Sequence, residues 1–232
     1  MAAASNNKST SATSIKNQLK SVQLRQSQKK YVDTILGNDI TFCYGPAGTS
    51  KTFTACYTAL TMLGNKQIKR IILCKPIQEA GEKLGHLPGN IEEKTDPYIK
   101  SYKSNIEKII GVEKAISLFE RGVIKFEPLA YMRGDTFDDA LMILDEAQNA
   151  TFKQLMLFVT RMGQKSKVVV TGDVSQHDIS LSQVSLPDFI NLVKDVKGVG
   201  EHIFTNEDIV RAKILIDIVA KYDSWKAKNQ RK

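Results

Sequence analysis

Gly45, Pro46, Ala47, Gly48, Thr49, Ser50, Lys51 and Thr52 form a run of small residues closed by a lysine and a hydroxyl. Such a run can make a tight turn whose backbone N–H groups point inward, a cradle for an anion. A helix beginning at Lys51 adds its positive end to that cradle. Lys51 then reaches the outer phosphates of a nucleotide, and the Thr52 hydroxyl is an oxygen ligand for Mg²⁺. The pattern GxxxxGK[ST] places glycine directly before the lysine, and this chain has Ser50 there. A backbone angle that suits glycine is therefore expected to be strained at Ser50.

A second constellation is Leu141-Met-Ile-Leu-Asp145-Glu146-Ala-Gln-Asn149. An apolar strand delivers Asp145 to its carboxyl end, where open α/β sheets bind ligands. A carboxylate there can hold the Mg²⁺ of a nucleotide, directly or through water. Glu146 can polarise an attacking water, which favours hydrolysis over transfer to a small molecule. The plain alternative is a strand that ends in an acidic turn. A third segment, Val168-Val-Val-Thr171-Gly-Asp173-Val-Ser-Gln176, brings Thr171, Asp173 and Gln176 to the same sheet edge. Gln176 there can sense a γ-phosphate, or the segment is only a strand followed by a turn.

These residues need elements to hold them. Strands are expected at 39–44, 70–74, 123–126, 140–145, 167–171 and 201–204. Helices are expected at 51–63, 151–162 and 186–195, with two short helices within 97–121 split at Gly111. A long final helix begins near Asn206, where Thr205 and Asp208 have capping-box spacing. Continuous apolar strands alternating with helices imply an α/β fold, a mostly parallel sheet with helices on both faces.

Hydrophobic residues make up 42% and charged residues 25%, which is ordinary globular usage and excludes a fibrous or wholly disordered chain. No apolar run has the length of a membrane helix, and the polar N-terminus lacks the apolar core of a secretory signal. The expectation is a cytoplasmic protein without membrane contact. Net charge is +8, but residues 1–30 carry six basic side chains and no acid. Residues 221–232 carry five more against Asp223, leaving residues 31–220 at −2. Basic ends are either a salt-sensitive handle for nucleic acid or merely solvated tails. Residues 1–24 read as a disordered basic arm, 25–225 as one catalytic domain and 226–232 as a basic tail. Cys43, Cys56 and Cys74 lack metal-ligand spacing and read as buried small hydrophobes. Tyr98 and Tyr102 either stack on bases or pack as an i, i+4 pair, packing being the commoner case.

The order of these blocks resembles the PhoH family of bacterial and phage P-loop ATPases. The similarity runs through Ser27-Gln28-x-x-Tyr31, Asp39-Ile-Thr-Phe42, the Gly45–Thr52 loop and Lys75-Pro76. It continues through Glu79-Ala-Gly-Glu-Lys-Leu-Gly85, Leu87-Pro-Gly89, Asp96-Pro-Tyr98 and Leu129-Ala-Tyr-Met-Arg-Gly134. It closes with Ile143–Asn149, Thr171-Gly-Asp173 with Gln176, and Glu207-Asp-x-Val-Arg211. The resemblance implies a RecA-like core that binds ATP with Mg²⁺. By it, Gln28 reads adenine, Thr52 and Asp145 hold the metal, and Lys51 and Glu146 serve catalysis. Gln176 couples the γ-phosphate to nucleic acid. Arg211 is an arginine finger, with Arg133 as its competitor. Lys75 stands where the family commonly has Arg-Pro.

The resemblance further implies a link to phosphate starvation and to RNA or single-stranded nucleic acid. The nuclease activity of relatives with an added N-terminal domain is not carried over. A single RecA-like core needs a neighbouring subunit to complete its site, so a homo-oligomeric ring, a hexamer, is expected. The competing reading is a nucleotide-dependent regulatory module with slow hydrolysis and no unwinding. A small-molecule kinase ranks third, because it leaves Glu146 and Gln176 without a task.

Overall fold

A computed structural model describes residues 15–76, 91–173 and 185–210, together with 214, 217, 218, 221 and 225; for 91–95 it gives the backbone alone. Six strands carry the sheet: β1 (Ile40–Tyr44), β2 (Arg70–Cys74), β3 (Ile124–Phe126), β4 (Ala140–Leu144), β5 (Lys167–Gly172) and β6 (Val199–Ile203). Their spatial order is β3-β2-β4-β5-β1-β6, and every pairing is parallel. Strand β4 is buried at all five positions and β5 at five of six, as expected for central strands covered on both faces. The expected RecA-like α/β architecture is the observed one, with β5 inserted between the strand before the Gly-rich loop and the strand that ends at Asp145.

One face is covered by α1 (Gln26–Gly37), α2 (Lys51–Gly64), α3 (Ile91–Ile110) and α4 (Val112–Glu120). Tyr31, Ala59, Leu60, Tyr102 and Ile106 pack there against Ile71, Leu141 and Val169. The other face is covered by α5 (Phe152–Val159) and α6 (Leu186–Val193), whose Leu155, Phe158 and Phe189 meet Phe42, Met142 and Val170. The chain thus leaves β1 toward one face and leaves β4 and β5 toward the other. A crevice opens between such loops at the carboxyl edge of the sheet. The loop and both carboxylates lie along that edge.

Several expected bounds shift, each for a local reason. Residues 15–19, within the expected arm, are helical, and Ile15 and Leu19 are buried against Gly64; residues 1–14 lie outside the described residues. Helix α3 starts at Ile91 and carries Pro97 internally, ahead of the expected start at 97, while the break at Gly111 stands. The Thr205–Asp208 box forms, with the Asp208 carboxylate accepting from the Thr205 N–H at 2.9 Å, but it opens only a single 3₁₀ turn. Ile209 is already extended, because the Val210 N–H is drawn to the Gly48 carbonyl at 2.8 Å. Among the described residues, no helix is long and apolar enough to cross a membrane. All three cysteines are buried and free, and Tyr102 is fully buried, which settles it as packing.

Candidate nucleotide site

The loop after β1 is anchored on both sides. The Gly45 N–H donates to the Gly172 carbonyl of β5 at 3.3 Å, and the Phe204 N–H returns to the Tyr44 carbonyl at 2.9 Å. A Cβ on Gly45 would stand 2.3 Å from the Phe204 carbonyl oxygen, so this position tolerates no side chain. Thr49 closes the turn by donating to the Pro46 carbonyl at 3.0 Å. Ser50 has φ 67° and ψ 30°, the left-handed region expected of the glycine it replaces. A non-glycine residue held there costs about 1–3 kcal/mol, and such costs gather at functional sites. Helix α2 begins at the next residue, so its free N–H groups face the turn.

Lys51 folds back into its own loop, donating to the Gly45 and Pro46 carbonyls at 2.6 and 2.9 Å. Burial pulls its ammonium below its ordinary pKa, and the nearby Asp173 carboxylate opposes that pull. The adjacent Thr52 hydroxyl donates to Asp145 Oδ2 at 3.0 Å across the crevice. Asp145 is buried and held on both oxygens. Thr171 Oγ1 donates to Oδ1 at 2.6 Å, and Lys75 Nζ stands 3.6 Å from Oδ2. Thr52 and Asp145 therefore offer two hard oxygen donors side by side, a set suited to Mg²⁺ carried on a nucleotide's phosphates.

Glu146 is the chain neighbour of Asp145 but is exposed, with φ 56° and ψ 38°. Its left-handed backbone turns the carboxylate out of the strand line. Gln148 donates from Nε2 to Glu146 Oε2 at 2.7 Å, and its carbonyl accepts the Asp173 N–H at 3.0 Å. One buried amide thus ties the strand end carrying Glu146 to the end of β5.

Gln28 sits in the first turn of α1. Its carbonyl accepts the Arg25 N–H at 2.9 Å, and its amide donates to Thr54 Oγ1 at 3.3 Å. Thr54 passes the link on to the Ser50 carbonyl at 2.9 Å. An amide has two donors and two acceptor sites, so this arrangement leaves Gln28 one of each. Arg133 is exposed, just beyond the 3₁₀ turn Leu129–Tyr131 that follows β3. Gln176 and Arg211 lie outside the described residues, although Val210, next to Arg211 in the chain, touches the loop at Gly48.

The structure brings together Lys51, Thr52, Asp145 and Thr171, as the strand-end pattern predicts. Gln148 and Lys75 are neighbours of the two carboxylates that sequence reasoning does not find. Gln148 gives a faint signal: two residues after Glu146 is a separation that only a tight turn can fold back on itself, and Ala147–Asn149 is such a turn.

With this geometry in view, the relatives are informative. The chain is 43% identical to a PhoH-like protein of Bacillus subtilis over 206 residues, 88% of this chain and 65% of that protein. It is 36% identical to protein PhoH of Escherichia coli K12 over 190 residues, 81% of this chain and 54% of that protein. The chain therefore spans just over half to about two thirds of the length of these relatives. Among solved structures, the large terminase of a thermophilic bacteriophage superposes with a TM-score of 0.54. It shares 11% identity, over 86% of this chain and 50% of the terminase, a likeness of fold alone. The PhoH-like protein family matches residues 21–223, a span that takes in the loop, both carboxylates and the strand between them, and the chain belongs to that family.

Proposed function

We propose that this chain binds ATP with Mg²⁺ and hydrolyses it, and that turnover is coupled to RNA or another single-stranded nucleic acid. The observation that carries the reading is the 3.0 Å contact from Thr52, at the start of α2, to Asp145, at the end of β4. It sets the Gly-rich turn beside a buried carboxylate suited to a metal ion. In this reading, Gly45 through Thr52 wrap the phosphates, and Lys51 leaves its loop carbonyls for the β- and γ-phosphate oxygens. Gln28 offers its remaining donor and acceptor to the adenine edge. Thr52 and Asp145 hold the metal, which when bound neutralises charge developing on the phosphate oxygens. Glu146 orients a water toward the γ-phosphorus and accepts its proton as the bond to the ADP oxygen breaks. Gln176 reports the γ-phosphate to the nucleic-acid side. Arg211, or Arg133 in its place, supplies the finger charge from a neighbouring copy in a hexameric ring.

The coupling to nucleic acid is supported by the basic residues concentrated at the two ends of the chain. A second reading, a regulatory module with slow hydrolysis, is favoured by the left-handed Ser50 and by Lys51 being bound to its own loop. Steady-state ATP hydrolysis with and without single-stranded RNA, at low and physiological salt, separates the two. A several-fold stimulation that fades with salt supports coupling. Turnover indifferent to RNA and DNA supports the regulatory module, and no turnover at all removes the ATPase reading.

A further inference from the structure

Lys75 is the first residue after β2, and the pairing of Cys74 with Leu144 places it beside Asp145 at the sheet edge. Its side chain is 15% exposed and that of Asp145 7%, so this is an ion pair largely withdrawn from water. The ammonium lies 5.6 Å from the centre of the Tyr102 ring, a cation–π contact. Tyr102 is fully buried and is itself fixed by a 2.8 Å bond from its hydroxyl to the Cys74 carbonyl. The Asp145 N–H donates to that same carbonyl at 3.0 Å. Lys75, Tyr102 and Asp145 thus share one rigid anchor, and the lysine is aimed at Oδ2, the oxygen that also receives the Thr52 hydroxyl.

We propose that Lys75 is a positioning residue that acts as an exchangeable counter-ion for Asp145, occupying the carboxylate until metal-bound nucleotide enters. The inference rests on the nucleotide-site reading above. A buried carboxylate cannot stay unpaired without cost, and among the described ion pairs Lys75 is the one that balances Asp145. A divalent cation between Thr52 and Asp145 would sit beside that ammonium with little water to screen the repulsion. Lys75 then gives up Oδ2 and swings to the phosphate side, where the nucleotide brings negative charge. Lysine and metal are therefore competitors for one oxygen, and Lys75 sets how much Mg²⁺ the site requires.

The test uses a fluorescent methylanthraniloyl-ADP titrated with Mg²⁺ on the full chain and on Lys75→Met, which keeps length and packing but removes the charge. The Mg²⁺ concentration for half-saturation should fall about fivefold or more in the variant, the scale of a typical coupling between two sites. A packing role alone would lower the melting temperature and leave that midpoint where it was. An unmoved or raised midpoint in folded Lys75→Met overturns the proposal. Should Lys75→Met not fold, Lys75→Arg takes its place. Its fork pairs more firmly with a carboxylate, so the midpoint should hold or rise, and a fall would overturn the proposal. If the unaltered chain binds no analogue at any Mg²⁺ concentration, the nucleotide reading itself has failed.

Discussion

The loop after β1 and the end of β4 meet at the same sheet edge, yet they are held differently. The loop closes largely on itself, with backbone tethers from Gly172, Phe204 and Val210. Lys51 and Thr49 bond to carbonyls within it, and Ser50 absorbs its tightest angle. The end of β4 is held by its neighbours: Thr171 from β5 and Lys75 from β2 grip Asp145, while Gln148 steadies Glu146 against the start of the loop after β5. Each side carries one left-handed non-glycine residue, Ser50 and Glu146. The side-chain closures of the Gly-rich turn are its own, whereas the carboxylate pair depends on the ends of two other strands, β2 and β5. Damage to the loop should therefore weaken nucleotide binding, damage beside Asp145 should change its Mg²⁺ requirement, and damage around Glu146 should spare affinity while slowing hydrolysis.

On nucleotide affinity, the largest effect should come from Lys51→Ala, which removes the charge proposed to meet the phosphates. Nucleotide affinity should drop by about a hundredfold, the usual scale for a buried charge partner, and isothermal titration would show it. Unchanged affinity would mean that the loop does not bind through its lysine. Thr171→Val keeps shape but takes the donor from Asp145 Oδ1. A buried acceptor left short costs about 1–3 kcal/mol, so chemical denaturation should register a loss in that range. A neutral result would show that Asp145 finds another donor. Gln148→Leu should lower turnover about tenfold through a misplaced Glu146 while nucleotide affinity holds. If affinity fell with it, Gln148 would belong to the binding side of the comparison. The smallest change is a gain: Ser50→Gly relieves the left-handed strain by about 1 kcal/mol. That raises the melting temperature by about 2–4 °C for a chain of this size, and a drop would contradict the strain.

The same contrast explains what is legible in the sequence. The loop is readable because its encoding is local, down to the strain at Ser50 where glycine belongs. The central strands are readable because β4 is an unbroken apolar run and β2 is one after Arg70. Strand β6 begins at Val199, ahead of the expected 201, because glycine carries no strand signal in the sequence. In the structure, Gly200 is a point of close approach, where a Cβ would stand 2.3 Å from the Asn38 amide nitrogen. Pro97 looks like a helix start, whereas α3 runs through it. The end of the capping-box turn is hidden because the force that stops it comes from far away in sequence, the Gly48 carbonyl that takes the Val210 N–H. The contact of Lys75 is hidden for the same reason, since register between strands decides it, whereas that of Gln148 with Glu146 turns on a local 3₁₀ turn and leaves only a faint trace in the spacing.

The most direct test of Glu146 as the water-activating base is to measure ATP affinity and steady-state turnover for the unaltered chain and for Glu146→Gln side by side. Turnover should be lower by about 10²–10⁴-fold, the range for losing a general base. ATP affinity should stay within a factor of about two, because the substituted side chain lies outside the phosphate cradle. Turnover at the unaltered rate in Glu146→Gln would contradict that role, since the water would then be activated by some other group.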